Sequence, residues 1–287
     1  MTWLLFAFLT AFFESMKDLF GKLGLVHLNE FVISWALMSF ALPFLIPLLF
    51  FIEIPELNRQ FAWSFLAGGV INATSILFYM KAIRASDLSI TVPMMTFTPL
   101  FLLVTSPVIL GEYPSRLGIA GVFLIVIGSY MLNIRQRRQG FLAPFKALFV
   151  ETGPRIMLGV AFLWSFTANI DKIGVQNSSP IFWAISMTGL VSLILLPPML
   201  LFTDHSFRQI SGQVKALLPL GMFNAFALVA QMTAINIALV AYVISIKRSS
   251  TILSVFWGHF FLGEKGLKER LLGVLIMVAG VVLISVS

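Results

Sequence analysis

Cysteine is absent from all 287 residues, which excludes disulfides and thiolate metal sites. Charge is scarce: Asp, Glu, Lys and Arg make up 11% of the chain, against about 25% in an average soluble protein. Only three histidines occur. His259 stands alone in its apolar stretch, with no second His or carboxylate at ligand spacing, so no metal centre is expected. No nucleophile–base pair, Walker motif or dinucleotide fingerprint is present, and we expect neither an enzyme nor a cofactor. The few charges sum to +7, but this is not a nucleic-acid signal. The basic residues sit mostly in short gaps between apolar spans, where they set orientation.

What remains is apolar. Hydrophobic residues make up 59% of the chain and the mean hydropathy is +0.98. This composition predicts an all-α, polytopic membrane protein. Thr2–Phe13 lacks a basic leading region and a small-residue cleavage site, and its apolar pattern continues, so it reads as a retained span. Ten apolar segments follow one another, near 2–24, 31–52, 61–83, 88–110, 115–133, 154–174, 180–203, 214–236, 239–262 and 269–286, each about long enough to cross a bilayer. The expected partners are the lipid bilayer and a small-molecule substrate, with the chain a monomer or homodimer.

The segments form two sets. Leu110-Gly111-Glu112 recurs as Leu262-Gly263-Glu264, an offset of 152 that also carries Gly69 to Gly221, Asn72 to Asn224, Met80 to Met232, Gly121 to Gly273 and Gly128 to Gly280. An offset of 150 carries Lys22 to Lys172, Gly24 to Gly174 and Pro47 to Pro197. The halves are 1–133 and 154–287, joined by a linker over 134–153 that begins with Arg135, Arg137 and Arg138. Five spans per repeat is an odd number, so the second copy enters the membrane inverted. Inverted repeats place a binding site near the midplane and permit alternating access, which predicts a secondary transporter.

Two five-span repeats, each with Leu-Gly-Glu closing its fourth span and a glycine-spaced fifth span, resemble the EamA family of the drug/metabolite transporter superfamily. That resemblance covers the whole chain. It implies a ten-helix bundle moving a small metabolite across a bacterial-type inner (plasma) membrane, without naming the cargo.

Span nine holds the most unusual residues. Lys247 and Arg248 lie inside an apolar stretch, where each cation costs about 2.5–3.5 kcal/mol on insertion scales. On one continuous helix, Lys247, Ser250, Thr251, Ser254 and Gly258 share a face, which we read as lining a polar cavity. The alternative is that both cations snorkel to the interface. The pair resembles the Lys-Arg of plastid sugar-phosphate/phosphate translocators, a branch of the same superfamily. That resemblance implies a phosphate grip, with Lys172 of span six as helper.

Other polar residues fall inside spans. Glu14, Lys17 and Asp18 share a face of span one. They read as ion-coupling candidates or, for Glu14 and Lys17, as a neutralised structural pair. A first-span Glu eight residues before Lys22 resembles the small multidrug-resistance transporters, whose Glu exchanges proton and drug cation. Asn169 and Lys172 share a face of span six, although Lys172 lies close enough to the span end for an interfacial role. Tyr79 and Gln231 are candidate cavity residues, while Asn72 and Asn224 read as packing amides. Gly121/Gly128 and Gly273/Gly280 read as close-packing seams. Pro197-Pro198 predicts a kink or break late in span seven.

The expected activity is therefore secondary transport of a small organic anion, a carboxylate or phosphate ester. Substrate-binding candidates are Lys247, Arg248, Thr251, Ser254, Lys172, Asn169, Tyr79 and Gln231; proton-coupling candidates are Glu14, Asp18 and Lys17. The rivals are a cation or drug exporter using Glu14 and a non-transporting membrane accessory subunit. Loops after odd-numbered spans carry thirteen of the nineteen Lys and Arg, and the opposite side three. This places the central linker in the cytoplasm and both termini outside, whereas EamA relatives are usually drawn with termini inside.

Overall fold

The computed structural model describes residues 2–24, 28–86, 91–133, 142–204, 206–262 and 267–287, and among them every regular element is a helix. Gly263 and Glu264 of the second Leu-Gly-Glu and the linker residues Arg135, Arg137 and Arg138 lie outside the described residues, as does the side chain of His259. In chain order the helices are α1 (Thr2–Gly24), α2 (Glu30–Ser39), α3 (Leu42–Leu45, continued as a 3-10 turn over Ile46–Phe51) and α4 (Arg59–Ala85). Then come α5 (Thr98–Leu110, entered through a 3-10 turn over Val92–Phe97), α6 (Arg116–Asn133), α7 (Ala143–Val150), α8 (Thr152–Gln176) and α9 (Pro180–Phe202). The chain finishes with α10 (Ser206–Ile237), α11 (Val240–Lys247), α12 (Ser250–Leu262) and α13 (Leu267–Ser285).

Among the described residues, six stretches of 19 to 32 residues are long and apolar enough to cross a bilayer: Glu30–Phe51, Arg59–Ala82, Val92–Leu110, Thr152–Gln176, Pro180–Phe202 and Ser206–Ile237. Two apolar helices are shorter, Arg116–Leu132 and Leu271–Ser285. The protein is thus a multi-pass membrane protein. At 23 residues α1 has the length, but Glu14, Lys17, Asp18 and Lys22 dilute its hydropathy.

Prolines set several of the breaks. Pro43 and Pro47 open α3 and the turn after it, and Pro93 and Pro99 open the 3-10 turn and α5. At these first positions a missing N–H costs nothing. Pro197 and Pro198 behave otherwise: α9 runs through them to Phe202, so no break occurs there. Leu195 and Met199, buried on either side, hold that turn in the core. Span nine departs from expectation in the opposite direction. The continuous helix expected near 239–262 is two helices, α11 and α12, separated at Arg248 and Ser249.

The helices gather into two compact units, each drawing on both halves of the sequence. One comprises Met1–Thr74 with Ile170–Ile237, the other Ser75–Asn169 with Ala238–Ser287. Helices α4 and α8 contribute a part to each.

In the first unit α1 packs on α10 through Phe13 and Phe20 against Phe223, with ring centroids 6.4 and 5.3 Å apart. Gly221 lets α10 approach the backbone of Phe40, where an added Cβ would lie 2.4 Å from its carbonyl. The Asn224 amide donates to Leu37 O at 3.2 Å, beside the end of α2. Gly174 on α8 makes room for Trp183 of α9, which is fully buried and meets Phe61 of α4 edge-on.

In the second unit α6 and α13 cross on four glycines. A Cβ on Gly121 would lie 2.7 Å from Gly280 O, and one on Gly128 2.6 Å from Gly273 O. The pairing runs in opposite directions along the two helices, so they are antiparallel, with backbone against backbone at both crossings. Without a hydrophobic driving force in lipid, such approach supplies the van der Waals contact that holds helices together.

Candidate functional site

The site is built around the break between α11 and α12. At the start of α11, the Val240 N–H donates to Glu112 Oε2 at 2.9 Å. Glu112 reaches it because Gly111 ends α5 in the left-handed conformation, φ 68°, and turns the chain. A carboxylate accepting from an open first-turn N–H satisfies an orphan donor and meets the positive end of the helix dipole. The first turn is held a second time. Tyr242 Oη accepts from the Ser115 N–H at 3.0 Å, and its ring lies over Gly118, where any Cβ would collide with it.

At the other end the α-pattern tightens. Arg248 N–H donates to Ser245 O at 3.0 Å, Ser249 N–H to Ile246 O at 2.8 Å, Thr251 N–H to Arg248 O at 3.1 Å and Ile252 N–H to Ser249 O at 2.9 Å. These are three-residue turns. Hydroxyls compete for the same carbonyls: Ser245 Oγ donates to Ala241 O and Ser249 Oγ to Ile246 O, each at 2.6 Å. A cluster of Ser and Thr offers the backbone this alternative to a regular helix, and it is the local reason the helix breaks here.

Lys247 ends α11 and Arg248 follows it, both half-buried. Arg248 Nη2 donates to Thr98 Oγ1 at 3.1 Å. Thr98 opens α5, just after the 3-10 turn, and its hydroxyl donates to Met95 O at 2.9 Å. Two irregular helix segments of one unit are therefore joined by a guanidinium. The repeat offset of 152 carries Thr98 onto Ser250, so the two irregularities occupy equivalent places in the sequence. Thr251 and Ser254 are half-buried on α12, which begins beyond the break, so they do not continue the face of Lys247 along one helix.

Asn169 and Tyr79 belong to this unit with different partners. Asn169 is fully buried: its amide donates to Thr105 Oγ1 at 3.0 Å and to Ser165 O at 2.8 Å, and it accepts from Ser106 Oγ at 2.7 Å. That network fastens α8 to α5. Tyr79 lies tilted against Trp164, ring centroids 5.6 Å apart, beside a core of Ala82, Met94, Tyr130, Met157 and Val160.

The remaining candidates lie in the first unit. Glu14 Oε1 and Lys17 Nζ pair at 2.7 Å, half-buried, one turn apart on α1, and Asp18 is exposed. Gln231 and Lys172 are buried. Beside Lys172, Asp171 is 6% exposed, and its Oδ1 accepts from the Trp183 indole N–H at 2.9 Å. Asp171 was not among the sequence candidates, nor were Glu112, Thr98 and Tyr242. An acid inside an apolar span is a legible signal. The bonds of Glu112, Thr98 and Tyr242 join residues 127 to 150 positions apart, and no local pattern shows that.

Comparison with known proteins adds the following. No curated protein matches the sequence. A solved structure described only as a crystal structure of a protein shares the fold, with a TM-score of 0.74 at 13% identity, over 99% of this chain and 96% of that one. The pattern of the EamA-like transporter family matches twice, over residues 1–134 and 152–286, so that each half carries the family's signature across its full length. The chain belongs to the EamA-like transporter family.

Proposed function

We propose that this protein is a secondary transporter that moves a small organic anion, a carboxylate or a phosphate ester, across a bacterial inner (plasma) membrane by alternating access. The observation that carries the reading is Arg248, half-buried at the break of span nine and bonded to the neutral hydroxyl of Thr98. Thr98 orients the guanidinium. Cations inside a membrane span mark a functional site by default. A guest carrying negative charge suits this pair, since Arg presents a planar fork to a carboxylate or phosphate and Lys a compact charge. Discontinuous helices are where transporters of other folds hold their substrates. The likeness to sugar-phosphate translocators rests on the Lys-Arg pair alone, so phosphate is one of two anion classes here.

Ten spans in two inverted repeats complete the reading, with span two formed by α2 and α3 and span nine by α11 and α12. The glycine seam supports the inversion. The offset of 152 makes Gly273 the counterpart of Gly121 and Gly280 that of Gly128. In the structure Gly121 faces Gly280 and Gly128 faces Gly273. Partners exchanged in this way are what a two-fold relation between inverted copies produces. Coupling to protons through a carboxylate, for which span one offers Glu14 and Asp18, belongs to the same proposal.

The test is thermal stabilisation of the purified protein by inorganic phosphate, citrate, a hexose phosphate and an amino acid, set beside organic cations. We expect at least one anion to raise the melting temperature, and Lys247→Ala and Arg248→Ala each to abolish that rise. Uptake of the same anion into proteoliposomes should fail in both variants. Stabilisation by cations alone, insensitive to these two substitutions, would overturn the reading.

A further inference from the structure

Helix α7 joins α6 to α8 and has two unlike faces. Phe145 and Leu148 turn inward onto the core of Ala82, Met94, Tyr130, Met157 and Val160. The ring of Phe145 meets Phe97 at 5.6 Å and Tyr130 at 5.2 Å. The other face carries Leu142, Lys146, Phe149 and Val150, spaced at helical steps of three and four, and all four are exposed, Phe149 by 87% and Val150 by 80%. Exposed apolar side chains within a span need no explanation, because lipid tails cover them. These two precede Thr152, where the apolar span of α8 begins. At eight residues α7 is about 12 Å long, far short of the ~30 Å hydrocarbon core.

Cations surround this exposed face. Arg155 is exposed in the first turn of α8, and its Nε donates to Glu151 O at 3.0 Å, which bends the guanidinium back over the junction with α7. Gly153 closes the same junction on α4. Its N–H donates to Ser86 Oγ at 3.1 Å, and a Cβ there would lie 2.8 Å from Ala82 O. Lys81, exposed beside Ala82, stands at this end too. Between positions 134 and 155 the sequence holds five basic residues, Arg135, Arg137, Arg138, Lys146 and Arg155, against one acid, Glu151.

We propose that the outer face of α7 is a docking surface for anionic phospholipid: Phe149 and Val150 sit among the upper acyl carbons, and Lys146 and Arg155 hold the phosphate. An apolar face set beside basic residues is what interfacial helices present to a leaflet, with the lysine stem lying along apolar surface and its charge reaching the headgroups. The sign of the charge selects anionic over zwitterionic lipid. The charge bias of the loops assigns this end to the cytoplasm, whose leaflet carries the anionic lipids. The inference concerns the bilayer and stands whatever the cargo is.

Two measurements on the full-length protein test it. Because the chain has no cysteine, Phe149→Cys gives a single position for a spin label. In vesicles of phosphatidylcholine and phosphatidylglycerol, we expect membrane-soluble oxygen to relax that label more than a water-soluble nickel chelate does. The headgroup is read by native mass spectrometry of the detergent-solubilised protein titrated with either lipid. Phosphatidylglycerol should be retained in preference to phosphatidylcholine. Lys146→Gln and Arg155→Gln should each weaken that retention about fivefold, and together about thirtyfold. Both side chains are exposed, so neither change disturbs the core. Arg59→Gln, at the far end of α4, should leave retention unchanged, and glycerol phosphate without acyl chains should not displace the lipid. A label relaxed mainly by the chelate, equal retention of the two lipids, equal loss in Arg59→Gln, or displacement by glycerol phosphate would each overturn the proposal. None of these readouts involves Lys247, Arg248 or a cargo, so its failure is separate from failure of the cargo reading.

Discussion

The bond from the Val240 N–H to Glu112 Oε2 allows an expected cost to be divided into parts. Replacing a good side-chain acceptor at a helix start by alanine costs about 1 kcal/mol. The negative charge beside the dipole adds about 0.3–1 kcal/mol. Glu112→Gln keeps an acceptor oxygen and loses only the charge, so it should cost about 0.5 kcal/mol. Glu112→Ala loses both and should cost about 1.5 kcal/mol. At about 2–4 °C per kcal/mol for chains of 150–250 residues, the melting temperature should fall by about 1–2 °C and 3–6 °C respectively. Thermal unfolding of the detergent-solubilised protein, followed by intrinsic fluorescence, measures both. Amide exchange adds a local check: in Glu112→Ala the N–H of Val240 should exchange faster, while the α6–α13 seam stays unchanged. A glutamine variant as unstable as the alanine variant, or an alanine variant with unaltered exchange at Val240, would refute the capping argument.

Four further outcomes are expected. Gly121→Ala places a methyl 2.7 Å from both the Gly280 carbonyl, which is backbone and cannot yield cheaply, and Ile284 Cγ1; overpacking of this kind costs about 1–3 kcal/mol. Gly159→Ala, where a Cβ meets nothing within 4 Å, should raise the melting temperature slightly, since alanine is the better helix former. Asn169→Leu should lower stability by about 1 kcal/mol, within the range for interhelical hydrogen bonds in membranes, and leave the anion selectivity of any stabilisation unaltered. Arg248→Lys retains the charge and loses the fork. It should weaken the stabilising anion by about tenfold in thermal titration yet still respond to it, unlike Arg248→Ala.

How much of this was legible in the sequence depended on whether a feature is local. The spans follow from runs of apolar residues, and the glycine seam from four glycines at matching offsets, because lipid rewards both wherever they occur. The repeat was visible because Leu-Gly-Glu keeps its order, but the role of that motif was not. Gly111 signals a helix end, whereas the N–H that Glu112 accepts belongs to Val240, 128 residues later. Span nine shows the opposite failure. Its apolar residues are uninterrupted enough to suggest one helix, and the face drawn through Lys247, Thr251 and Ser254 assumed it. Serine at 245, 249 and 250 was the contrary signal, since hydroxyls that can return to the backbone weigh against a regular ladder. Pro197-Pro198 pointed to a kink or a break, and of the two the break does not occur, since α9 continues to Phe202.

The break and the charges in span nine are best understood together. A regular helix satisfies its own backbone and has nothing left for a ligand; in lipid, irregular backbone persists only where protein or a water-filled cavity completes it. The hydroxyls of Ser245 and Ser249 return to two carbonyls of the same turns, so the irregular segment is held from within the protein. The same turn sets Arg248 toward Thr98 on α5. The break lies just beyond the second cation: Arg248 caps α11 in helical conformation, φ −64° and ψ −17°, with its N–H still donating to Ile244 O at 3.3 Å, and the regular ladder is lost after it. If that interruption leaves room for a ligand beside both cations, replacing Ser245 and Ser249 together by alanine should extend α11 and weaken anion stabilisation while both cations remain. Strengthened helicity with undiminished anion response would show instead that the break serves packing alone.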